Sequence, residues 1–160
     1  MKRGALKIAA VPILPVLAFL VPAGPATADP LNFDSAQVTG STPGCSGTVE
    51  AQLSANQGQT SDEPSTSVDS SATVMVNFTP DTNTLDSLLA SPGSCEISTT
   101  VTMQNLDNGT SRTETKTTEY DSHYGWHAAF FTLEGSGQVS AQVSTNPSPS
   151  QLTIDVPAPI

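Results

Sequence analysis

The chain has 160 residues and a formal charge of −10, with 15 carboxylates against 5 lysines and arginines. Phosphate binding runs on Lys and Arg, so nucleic acid and anionic lipid surfaces are excluded as partners. Cationic partners, metal ions and plain solubility stay open.

Lys2, Arg3 and Lys7 give a positive start, and Ile8 to Val21 is an apolar stretch of 14 residues interrupted by Pro12 and Pro15. Ala26-Thr27-Ala28 then sets small residues where a signal peptidase reads. The pattern predicts a secretory signal over residues 1–28, cleaved before Asp29; its Pro- and Ala-rich composition has a bacterial look. The apolar stretch is shorter than the roughly 20 residues of a bilayer span, and no Cys stands at the cleavage point to take a lipid. The expected product is therefore released outside the cell or into the envelope, with no stable membrane anchor. It is a single domain over residues 29–160, and only Arg112 and Lys116 remain against all fifteen acids, a formal charge of −13.

Downstream, period-2 alternation dominates. Leu31 to Val38 is a weak first strand. Val49, Ala51 and Leu53 alternate with polar residues, as do Ala72, Val74, Val76 and Phe78. Asp81 to Thr84 offer N-cap residues, the stripe Leu85, Leu88 and Leu89 predicts one short helix around residues 84–90, and Pro92-Gly93 stops it. Cys95, Ile97, Val101 and Met103 share a parity. Ser111 to Glu119 is polar on both parities, which suits an exposed edge strand. Asn108-Gly109 signals the hairpin between these two strands. A strict two-residue turn would set Val101 opposite Lys116, so a bulge or longer turn that corrects the faces is expected. His127 to Leu133 is apolar on both parities and reads as a central strand or a crowded core edge. Val139, Ala141 and Val143, then Leu152, Ile154 and Val156, complete the set.

Seven or eight short strands predict an all-β fold, a two-sheet antiparallel β-sandwich with an immunoglobulin-like arrangement as the leading topology. Cys45 and Cys95 are the two cysteines, and in an exported chain they read as a structural disulfide. Neither belongs to a C-x-x-C. Trp126 follows Cys95 rather than lying between the cysteines, unlike the antibody pattern.

The densest chemistry lies between Glu119 and His127. Tyr120, Asp121, His123, Tyr124, Trp126 and His127 form the candidate ligand site, suited to sugars, peptides or small apolar molecules. Asp121, His123 and His127 are also the basis of an alternative reading, a small hydrolase or metal-binding enzyme. Along a strand, however, four residues span about 13 Å, too far for two rings to share one ion. Asp81, Asn83 and Asp86 are a weak calcium-like set that lacks the Gly and the distal Glu of an EF-hand loop. No cofactor is implied, and no residue set selects a catalytic mechanism. A pore-forming barrel is a third reading, opposed by the polarity of the Cys95–Glu119 hairpin on both parities. The leading expectation is a secreted, acidic, non-enzymatic binding module whose extracellular ligand or protein partner is not specified.

Overall fold

A computed structural model of the chain describes residues 28–63, 66–90, 94–121, 125–126, 128–145 and 151–160. Two antiparallel sheets face each other across an apolar core, as the alternation requires. The first holds β1 (Leu31–Asn32), β2 (Ala36–Thr39), β3 (Ser46–Asn56), β4 (Ser71–Pro80) and β8 (Ala129–Glu134). Its order is β1-β3-β4-β8, with β2 also paired to β3. The second has the order β10-β9-β5-β6-β7, from β5 (Ser94–Asn105), β6 (Ser111–Asp121), β7 (Gly125–Trp126), β9 (Gly137–Val143) and β10 (Leu152–Val156). The helix α1 (Thr82–Ala90) carries the chain from β4 to β5, one turn-fraction earlier in onset than its leucine stripe predicts.

The sandwich is as expected from the sequence. A constant-type immunoglobulin domain sets its second and third strands in opposite sheets, whereas β3 and β4 here pair along their length in one sheet. Val49, Leu53, Val74, Val76 and Phe78 from the first sheet meet Val101, Met103, Val139, Val143 and Ile154 from the second, all buried. Each strand hides one parity because its backbone is already bonded to neighbours and only its apolar face gains by leaving water.

The disulfide forms between Cys45, just before β3, and Cys95 in β5, with 5.5 Å between their Cα atoms. It closes a loop spanning 50 residues, which chain entropy values at roughly 4 kcal/mol. A Cβ on Gly40 would stand 2.2 Å from the Cys45 sulfur, so only glycine lets the chain pass there. Beside the bridge, Thr84 of α1 is buried. Its hydroxyl accepts from the Ser46 amide at 2.9 Å and lies 3.0 Å from the Gly44 and Ser46 carbonyls, docking the helix on the first sheet.

Of the two readings offered for the apolar stretch ending at Leu133, the edge position holds: β8 is the edge of the first sheet, paired to β4, and Phe130 points outward at 53% exposure. One expectation needs correction. The turn between β5 and β6 is longer than two residues, with Asn105 N–H bonded to Thr110 O at 2.8 Å and Gly109 at φ +76°. Lengthening by two residues leaves parity unchanged, so the faces are not corrected. Val101 is opposite Glu114 and Met103 is opposite Arg112.

The inward parity of β6 therefore carries charge, and that charge closes the flank of the sandwich. Arg112 donates to Thr132 O at 3.0 Å, and Lys116 donates to Phe130 O, both carbonyls of β8. Glu114 pairs with both cations, at 3.0 and 3.2 Å, and Lys116 lies 5.1 Å from the centroid of the Phe131 ring. Inward-pointing charge is a recognised way of guarding a sheet edge, and here it guards the edge of the other sheet.

Candidate functional site

Of the predicted aromatic and histidine cluster, Tyr120, Asp121 and Trp126 have described strand positions, beside the disulfide-bonded Cys95. Tyr120 is opposite Cys95 on one side and Trp126 on the other, and Asp121 is opposite Gly125. Tyr120 is half-buried and packs on the core. Asp121 and Trp126 are placed by these strand positions. His123, Tyr124 and His127 lie outside the described residues. Among the described residues no three of His, Cys, Asp and Glu converge as a metal site. Of the calcium-like set, Asp81 accepts from the Ser46 hydroxyl at 2.9 Å, while Asn83 and Asp86 are exposed on α1.

A different site arises on the outer face of the first sheet. Leu31 and Asn32 are opposite Leu53 and Gln52, but Ala36 to Thr39 are opposite Val49 to Ser46. The register shifts by one residue between the two strands. Phe33 still donates to Ala51 O at 2.9 Å, so Asp34 and Ser35 together face the single residue Glu50. This is a β-bulge, which sends two successive side chains to one face. Phe33 and Ala36 on either side are buried, at 6% and 1% exposure, while Asp34 and Ser35 are both exposed.

The bulge opens a cleft of about 520 Å³, within the range of small-molecule sites. Its wall and floor include Asn32, Asp34, Glu50, Gln52, Met75 and Asn77. Two cross-strand rows build it. Asp34 and Ser35 lead to Glu50 and then Asn77, and Asn32 leads to Gln52, Met75 and Phe130. The Gln52 amide donates to Asn32 Oδ1 at 3.1 Å, which orients both amides. Chemically, this is a concave surface rich in acceptors, with amide donors, no cation in its lining and an apolar shelf of Met75 and Phe130 alongside.

None of these residues was assigned to a ligand site from the sequence. A signal existed: apolar residues at 31 and 33, then at 36 and 38, break the period of two by one residue. Met75 and Phe130 were also visible as large apolar side chains on outward positions.

Compared with known proteins, the chain matches no family model, and no curated protein or solved structure is significantly similar to it.

Proposed function

We propose that the chain is an exported binding module that holds an extracellular ligand in the bulge-built cleft of its first sheet. The cleft carries this reading, because it joins convergent polar groups to a rigid floor: Ala51, Val74 and Val76, which flank it on the inward parity, are buried in the core. Sites on strands hold their geometry better than sites on loops. Export rests on the layout of residues 1–28 and accords with the disulfide, since such bonds persist in oxidising compartments. Among the described residues no helix is long and apolar enough to cross a membrane.

Secretion is tested by expressing the full chain in an exporting host and weighing the product in the medium, where a first residue of Asp29 is expected. Binding is tested by a thermal-shift screen of sugars, amines, peptides and apolar compounds against the protein and its Glu50→Arg variant. A ligand that stabilises the former and not the latter supports the site. A screen with no such ligand sinks the proposal.

A further inference from the structure

The composition of the cleft narrows what it takes. Resting on the binding reading above, we propose that the ligand is a saccharide of pyranose type, neutral or amine-bearing, that lays one C–H face on the Met75–Phe130 shelf. A pyranose presents an apolar face and a rim of hydroxyls, and the outer face of the first sheet presents the complement. Phe130 is 53% exposed and directly opposite Met75, so the two side chains lie about 5 Å apart at their Cβ atoms. Met75 is in turn opposite Gln52, which sets the shelf one to two strand spacings, about 5–10 Å, from the polar groups. A single sugar ring spans that interval.

The polar groups select the same class. Asp34 and Glu50 are acceptors for pairs of hydroxyls, and Asn32, Gln52 and Asn77 supply amide donors as well as further acceptors. Carboxylates without a cation in the lining repel phosphate, sulfate and uronate, so anionic sugars are excluded. An amine on the sugar adds a favourable charge, and the formal charge of −13 on residues 29–160 raises the local concentration of such ligands. An extended peptide is less suited, because β1 and β2 already occupy the backbone edge of β3 beside the cleft.

The experiment is an amide-resolved NMR titration of the folded, disulfide-bonded protein. The probes are cellohexaose, maltohexaose, mannohexaose, a glucosamine hexamer and oligogalacturonate, with spermidine and a lysine tetrapeptide as non-sugar arms. Expected are shifts at residues 32–35, 50–52, 75–77 and 130 with at least one neutral or amine-bearing sugar, and none there with oligogalacturonate. Phe130→Ala then weakens binding about tenfold, Phe130→Trp restores it, and Asp34→Asn or Glu50→Gln weakens it while spectra elsewhere stay unchanged. Shifts at these residues from spermidine or the peptide, with no sugar active, overturn the saccharide assignment and leave the binding site standing. Shifts from oligogalacturonate also overturn it. No shift at these residues in any arm overturns both.

Discussion

The outer faces of the two sheets are built from the same alternation and differ in the regularity of their register. On the second sheet, Ser98, Thr100, Thr102 and Gln104 of β5 stand beside Thr117, Thr115, Thr113 and Ser111 of β6. No ionisable side chain interrupts these eight. Thr100 and Thr115 share a hydrogen bond at 2.6 Å, and Thr102 and Thr113 share one at 3.1 Å. The ladder satisfies itself and water, and its register is continuous. On the first sheet one extra residue at Asp34–Ser35 breaks the register, and carboxylates and amides converge on a hollow, where the Gln52 amide donates across strands to Asn32 Oδ1 at 3.1 Å. A regular face is a surface; an irregularity makes a site.

The largest test concerns what both faces depend on. Replacing Cys45 and Cys95 with Ser removes a tie between the sheets and is expected to cost about 4 kcal/mol, read as a lower denaturant midpoint. A loss under 1 kcal/mol would show that packing alone holds the sheets together. Next, Phe33→Ala removes the buried anchor of the bulge and is expected to cost about 3 kcal/mol. Because only the first face contains the bulge, amide shifts in that variant should concentrate at residues 31–36 and 50–52 and spare the threonine ladder. Shifts spread evenly over both sheets would contradict a locally anchored bulge.

Threonines on the two parities of the second sheet should answer in opposite directions. Thr99 and Thr118 are buried, and their hydroxyls lack a hydrogen-bond partner among the described residues. Thr99→Val or Thr118→Val should therefore stabilise the fold by about 1 kcal/mol, the scale of an unmet buried hydroxyl. Thr100→Val with Thr115→Val deletes a satisfied outer pair and should cost about 0.5 kcal/mol without touching ligand affinity. Thermal denaturation of the three variants compares them directly, and equal signs would refute the distinction.

The flank also carries a small expected energy. Arg112→Ala with Lys116→Ala should cost under about 1 kcal/mol, since both side chains are partly solvated. Its main effect is exposure of the β8 edge, seen as association that grows with protein concentration in sedimentation velocity. A double variant that stays monomeric would show that β8 needs no guard.

Much of the fold was legible in the residues. Alternation in β3, β4, β5, β9 and β10 identified the strands and their buried parity, because a two-residue period is local and burial enforces it. The helix followed from the leucine stripe between Asp81 and Pro92. The charged parity of β6 was misjudged, because local chemistry implies a turn that brings like faces together, whereas the cations found acceptors on another sheet. The aromatic cluster stands out in the sequence by its density of functional groups, and of it Tyr120 packs on the core opposite Cys95.

The sequence by itself determined the class of fold, the acidic character and the pairing of Cys45 with Cys95, since each depends on composition or on periodicity within one strand. The tertiary structure decided that β8 is an edge, that Arg112 and Lys116 cap it, and that Asp34, Glu50, Asn77 and Met75 meet around one hollow. Those are relations between strands far apart in the chain. Register and edge position come from how two packed sheets share their backbone hydrogen bonds, which no single segment encodes.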